Sequence, residues 1–240
     1  MPPERLDFSR RAYLVERMDE PCSRDELRAC LRDISRVNRW LFGDRPLFIW
    51  LNSLNLAPSA APVHILDAGC GSGETLRKIE RWASARSIAV ELTGIDLNPD
   101  AVAIAAEATP TASCIQWAAS DVFSYRSEKP VDIVISSLFA HHLDDAGVIQ
   151  FLHWMEDHAQ LAWFINDLSR APTPYHLFRA LAWAARLHPF VQYDGPVSIR
   201  RAFVAEEWQA MCAAAGLREA DVVIQGFKPA RLCVARRKPQ

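Results

Sequence analysis

The chain has 240 residues, 50% of them hydrophobic and 23% charged, a balance that excludes an intrinsically disordered, collagenous or coiled-coil protein. That length supplies a core of its own without a disulfide framework, and a formal net charge of -2 provides no global field to draw in nucleic acid or an anionic membrane. Six cysteines (Cys22, Cys30, Cys70, Cys114, Cys212 and Cys233) contain no C-x-x-C pair, so neither a zinc knuckle nor a redox dithiol is indicated, no metal site is expected, and a reducing, cytoplasmic setting fits. The first residues, Met1-Pro2-Pro3-Glu4-Arg5, lack the apolar run of a signal peptide, and no stretch approaches the roughly 20 apolar residues of a membrane span.

In chain order, residues 1–60 form the first unit, a helical cap. A helical, amphipathic texture runs from Asp7 to Leu56, clearest where Leu27, Leu31, Ile34, Val37 and Leu41 recur at spacings of three and four opposite Arg24, Asp25, Arg28, Arg32 and Asp33. Ser23 followed by Glu26 is the pattern of a capping box, and Gly43 ends the helix. A second, short helix passes through Leu47, Ile49, Trp50 and Leu54, and the loop Ala57-Pro58-Ser59-Ala60-Ala61-Pro62 marks the boundary.

Residues 61–240 form the second unit, in which short β-branched apolar runs alternate with helical patterns. That alternation predicts a doubly wound α/β fold with a mostly parallel sheet. Strands are predicted at 63–66, 88–95, 113–117, 131–135 and 161–165, with helices at 74–85, 99–108 and 144–158 between them. From about 168 to 203 the alternation breaks into a proline-punctuated apolar segment, expected to be a helical lid inserted over the edge of the sheet. A helix over 205–215, closed by Gly216, and an antiparallel pair at 220–224 and 231–235 complete the unit.

The strongest chemical signal is Ile65-Leu66-Asp67-Ala68-Gly69-Cys70-Gly71-Ser72-Gly73-Glu74, a glycine-rich turn between the first strand and its helix. Glycines there let backbone turn sharply and approach a ligand at a helix N-terminus. A dinucleotide fingerprint would place glycine where Glu74 stands, and the G-K-[ST] ending of a phosphate-binding loop is absent. The second strand ends in Thr93-Gly94-Ile95-Asp96-Leu97-Asn98, putting an acid where it can accept ribose hydroxyls. Ala118-Ala119-Ser120-Asp121-Val122-Phe123 follows the third strand, and Val131-Asp132-Ile133-Val134-Ile135-Ser136-Ser137-Leu138-Phe139-Ala140-His141-His142-Leu143 forms the fourth strand and its loop.

These four segments, in this order, resemble the motifs of the class I, Rossmann-like S-adenosylmethionine-dependent methyltransferases. The resemblance implies S-adenosylmethionine as cofactor, bound by Asp67, Gly69, Gly71, Gly73, Asp96, Leu97, Asp121, Val122 and Ser137. The amino-acid end fits the turn beside Asp67, the ribose meets Asp96, and Leu97 and Val122 wall the adenine. The His-His-Leu loop, with Arg36-Val37-Asn38-Arg39-Trp40, looks most like the ubiquinone and menaquinone biosynthesis and small-molecule O-methyltransferase group.

The Asn-Pro-Pro-Tyr type motif of nucleic-acid amino methyltransferases is replaced by Ser136-Ser137-Leu138-Phe139, so a nucleic-acid acceptor is not expected and a small, aromatic or lipid-like one is, methylated on oxygen rather than carbon. His141, His142 and Asp167 are the candidate catalytic groups, because they leave the carboxyl ends of the fourth and fifth strands and imidazole exchanges protons near neutral pH. The same histidines are read equally well as one ring packed on the cofactor and one capping the next helix, and Asp167 as a turn residue. Arg39, Trp40, Tyr175, Phe178, Trp183 and Arg201 are the candidate substrate residues, expected to line a closed, mostly apolar pocket between cap and lid. Two other classes fit the same strand and turn, a nicotinamide-dependent oxidoreductase and a cofactor-binding interaction protein without transferase activity. Nothing in the sequence sets the oligomeric state.

Overall fold

The computed structural model describes residues 6–58 and 61–239. The first helix, α1 (Arg24–Trp40), begins on the expected capping box: Ser23 accepts the N–H of Glu26, whose carboxylate accepts the N–H of Ser23. α2 (Arg45–Ser53) follows, with Pro46 in its first turn. The alternating unit then runs β1 (Val63–Ala68), α3 (Glu74–Ser84), β2 (Val90–Asp96), α4 (Pro99–Glu107), β3 (Gln116–Ala119), β4 (Val131–Ser137), α5 (Asp145–His158), β5 (Ala159–Leu168), α6 (Pro172–Ala184), α7 (Pro189–Arg201), α8 (Ala205–Ala214), β6 (Val222–Phe227) and β7 (Arg231–Arg237).

The seven strands form one sheet in the order β3-β2-β1-β4-β5-β7-β6. Neighbours from β3 to β5 are parallel, while β7 is antiparallel to both β5 and β6. The period of two along each strand divides the core. Leu66, Val134, Trp163 and Ile165 face Phe151 of α5 and Trp208 of α8, whereas Ile65, Ile133, Ile135 and Phe164 face Leu47 and Leu51 of α2 and Leu76 and Ile79 of α3. Strand order reverses between β1 and β4, so the crevice at their carboxyl ends is where an open α/β sheet takes its ligands.

Several expected boundaries shift. The stretch from Asp7 to Glu16 is not helical: it runs as an irregular strap, with a single 3-10 turn at Arg17–Asp19, because its backbone is claimed by other segments. The N–H of Ala12 bonds the carbonyl of Arg200, and those of Arg17 and Met18 bond the Asp194 carboxylate. β3 starts at Gln116 rather than 113, since Ser113 closes a local turn by accepting the N–H of Ile115. The segment after β5 holds two helices, α6 and α7, with Pro196 inside the second. α1 spans both ends of this layer, Leu27 packing on Ala101 and Ile104 of α4, and Cys30 and Val37 on Leu187 and Val191 before and within α7.

Candidate active site

Asp67 lies one residue before the end of β1, and the chain after the strand turns through Gly69, Gly71 and Gly73 at φ of 76°, 51° and 71°. That left-handed geometry costs other residues about 1–2 kcal/mol each. At Gly69 there is also no room, since a Cβ would stand 2.8 Å from the Phe139 ring. The turn is stitched to β2, Gly69 and Cys70 both donating to the carbonyl of Ile95.

Asp96 organises the other side. Its two oxygens accept the N–H groups of Gly71 and Asn98, each at 2.9 Å, and burial nevertheless raises its pKa. Leu97 beside it is 75% exposed, an apolar surface left open to a ligand. Val122 is buried, Asp121 is exposed and accepts the N–H of Phe123, and Ser137 ends β4 opposite Asn166 of β5.

The Asp67 carboxyl is 1% exposed, and its Oδ1 has no hydrogen-bond partner. Burial, with the nearby charges of Asp96 and Asp44, pushes its pKa up to about 8. A buried, unpaired acceptor of this kind is satisfied by a cationic donor, and the ammonium of an amino acid supplies one. The residues present therefore fit S-adenosylmethionine. α1 lies over the turn, with Leu31 3.7 Å from where a Gly71 Cβ would be and Ser35 Oγ 3.4 Å from Ser72 Oγ.

At the carboxyl ends of β4 and β5 a second group converges. Leu138, held at φ of 57°, turns the chain after β4 so that Phe139 covers Gly69 and His141 and His142 follow in a single 3-10 turn. His141 is 2% exposed; its Nδ1 lies 2.7 Å from Asp167 Oδ1, and its backbone N–H donates to Asp167 Oδ2 at 2.9 Å. Burial acts to raise the Asp167 carboxyl, but the His141 ring and the N–H groups of Leu168 and His141 outweigh it and hold the pKa below its usual value. The His141 and His142 rings are 4.3 Å apart.

The strap closes this group from outside. Glu16, 5% exposed, brings Oε1 to 3.7 Å from His141 Nε2 and Oε2 to 3.9 Å from His142 Nε2. Burial raises its pKa against the opposing charges of His142 and Arg201. Asp19 stands 3.5 Å from His142 Nδ1. From the end of α7, Arg201 reaches Glu16 and Asp19 at 3.4 and 3.3 Å and donates to the carbonyls of His141 and His142. Arg11 fastens the strap with bonds to the carbonyls of His141, Leu143 and Arg201 and to Asp145.

Of the residues expected to hold substrate, Arg201 joins the histidines and the others disperse. Trp183 is 76% exposed on the outer side of α6, beside an open cleft shared with Arg186 and Gln192. Trp40 is exposed at the end of α1 with the guanidinium of Arg36 over its ring, and Arg39 is exposed near Glu74. Tyr175 is buried against Phe8 of the strap, and Phe178 packs on Gly195 between α6 and α7. The expected single aromatic pocket is therefore corrected: α6 turns its buried side to α7 and the strap, which leaves Trp183 on the opposite side.

Three residues of the site were not anticipated. Glu16 and Asp19 lie in a segment without periodicity or motif, and nothing local distinguishes them from solvated acids. Arg231, at the start of β7, is 8% exposed; it donates to Asn38 of α1, while its Nη1 has no partner.

Residues 65–161 match the family described as a methyltransferase domain. No curated protein matches the chain. Among solved structures, the plantazolicin methyltransferase BpumL in complex with SAH is similar with a TM-score of 0.63 at 15% identity, over 89% of this chain and 96% of that one. Magnesium protoporphyrin IX methyltransferase (ChlM) from Synechocystis PCC 6803 with bound SAH gives 0.57 at 13%, over 85% and 84%. The complex of LepI with SAM gives 0.53 at 11%, over 76% and 44%. The nicotinamide alternative falls away with the family match. With the glycine turn, the unpaired Oδ1 of Asp67 and the family match agreeing, residues 65–161 carry an S-adenosylmethionine-dependent methyltransferase domain on a Rossmann-like sheet.

Proposed function

We propose that the protein methylates a hydroxyl oxygen of a small, aromatic or lipid-like acceptor held between the glycine turn, the strap and α7. The observation that carries this reading is the buried pairing of His141 with Asp167 beside the turn, roofed by the strap. When bound, S-adenosylmethionine supplies an electrophilic methyl group on a sulfonium. The chain's own residues do the rest. Asp67 and Asp96 fix the cofactor's orientation, while Asp167 sets the tautomer and direction of the His141 ring so that Nε2 faces the crevice. The acceptor hydroxyl, brought to the ring nitrogens of His141 and His142, loses its proton there and presents its lone pair in line with the methyl group. Exclusion of water by the strap and α1 adds alignment.

A roofed crevice suits a small acceptor better than a macromolecule, as does the likeness of the His-His-Leu loop to quinone-biosynthesis and small-molecule O-methyltransferases. The neighbours named for plantazolicin and magnesium protoporphyrin IX extend the acceptor panel to azole peptides and porphyrins. Incubating the protein with labelled S-adenosylmethionine and that panel, alongside phenols and hydroxylated lipids, tests the reading by mass spectrometry of the products. Methylation confined to proteins or nucleic acids would sink it.

A further inference from the structure

The group around His141 holds more ligating chemistry than one proton transfer needs. Three carboxylates converge there, Glu16, Asp19 and Asp167, against one guanidinium, Arg201. Arg11 is spent on Asp145 and on main-chain carbonyls. The carboxylates thus outnumber the guanidinium by two.

We propose that Glu16, His141 and His142 bind one divalent transition-metal ion. One ligand atom from each lies within 4.8 Å of the other two, and among the described residues no other group of His, Cys, Asp and Glu side chains converges in this way. Metal–ligand bonds of roughly 2.1 Å in tetrahedral geometry place donor atoms about 3.4 Å apart; Oε1 of Glu16 stands 3.7 Å from the His141 ring and Oε2 3.9 Å from the His142 ring, so a carboxylate engaged through both oxygens needs only a small contraction. Each ligand also has an outer partner of the kind that orients metal ligands. Asp167 takes Nδ1 of His141, Asp19 lies beside Nδ1 of His142, and Ser198 Oγ donates to Glu16 Oε1 at 2.9 Å. Two imidazole nitrogens and one carboxylate favour zinc, cobalt, iron(II) or manganese over magnesium and calcium, which prefer all-oxygen shells. The three ligands come from the strap and from the loop after β4, and for that reason no sequence spacing announces them.

Three protein ligands leave a coordination position open. Resting on the acceptor placement proposed above, that position takes the acceptor's oxygen. The ion lowers the hydroxyl pKa as it does that of bound water, the O–H bond breaks with its proton leaving to solvent, and the oxygen forms its bond to the methyl carbon as the carbon–sulfur pair returns to sulfur. Neither imidazole then has to carry the proton.

The test uses the full chain, stripped with a chelator and titrated with cobalt(II). Visible d–d bands should saturate at one equivalent and disappear in both Glu16→Gln and His142→Asn, with melting curves confirming that the variants are folded. Asp167→Asn should weaken cobalt binding by ~10–100-fold. A chain that stays spectrally silent, or bands that survive both substitutions, overturns the site. Methyl transfer at an undiminished rate in chelator overturns the metal's part in ionising the acceptor. Failure of the small-acceptor reading shows separately, as normal cobalt binding without product from any small molecule.

Discussion

Asp167 grips His141 twice, one carboxylate oxygen on the ring at 2.7 Å and the other on the same residue's backbone N–H at 2.9 Å. A side chain held at both points has one ring direction and one tautomer. In Asp167→Asn, an amide replaces one of two acceptors and meets an N–H with an N–H, so the ring loses its register. Methyl transfer should fall by ~10²–10⁴-fold, the span of a misplaced acid–base group, while calorimetry finds S-adenosylmethionine affinity unchanged. Equal loss of cofactor affinity would make Asp167 a general scaffold residue.

Asp96 bonds the turn and is the proposed acceptor for the cofactor's ribose, so Asp96→Ala has two expected effects. Cofactor affinity should weaken by a few kcal/mol, since bonds to a charged acceptor contribute roughly 1.5–3 each. The N–H groups of Gly71 and Asn98 also lose their acceptor, so the melting temperature should fall in the ligand-free protein. Unchanged affinity by calorimetry would remove Asp96 from the cofactor site.

Asp67 gives the protein a pH dependence. Its folded pKa, about 8, is raised above the unfolded value of roughly 3.9. The sign is therefore that of a group whose stability contribution is complete below the unfolded value and is lost as pH rises through about 8. Denaturant unfolding at pH 6, 7.5 and 9 should show a decline that is absent in Asp67→Asn, by about 2–3 kcal/mol across that window. Binding a cationic amine beside Asp67 releases its proton, so binding heats near pH 7 should vary with the ionisation enthalpy of the buffer. Parallel stability curves for the two proteins would contradict the buried, unpaired state.

Trp183 and Gly195 separate surface from packing. Trp183→Ala should leave stability within about 0.5 kcal/mol and transfer rates unchanged, because the ring is exposed. Gly195→Ala puts a Cβ 2.0 Å from Phe178 and should lower stability by about 1–3 kcal/mol as α6 and α7 are forced apart. A large activity loss in Trp183→Ala would restore that residue to the acceptor site.

What the sequence made legible follows from range. β1, its glycine turn and Asp96 were readable because strand period, left-handed glycines and strand-end acids are local properties. So was α1, whose capping box and apolar stripe sit in one window. Glu16 was not, since its burial arises from His141, Ser198 and Arg201, all more than a hundred positions away. Trp183 and Tyr175 share a helix of similar apolar texture, and only the packing of α7 and the strap decides which ring is covered. The strap itself carried a helical expectation that failed because its N–H groups bond Asp194 and Arg200 instead of each other.

The strap is held by polar bonds from its main chain and from Arg11, with Tyr13 and Val15 exposed at 77% and 63%. Beyond Phe8 and Met18 it buries little apolar surface, and the bond from Ser198 to Glu16 closes a loop of 182 residues. Such a segment docks late on the folding path and undocks first, in an opening far smaller than global unfolding. Amide hydrogens of Ala12, Arg17 and Met18 should accordingly exchange with deuterium orders of magnitude faster than those of β1 and β4. Salt should accelerate that exchange by screening the pairs around Arg201 and Arg11. Ionic strength thereby becomes a handle on how often the crevice is open, and turnover of a bulky acceptor should respond to it while cofactor affinity does not.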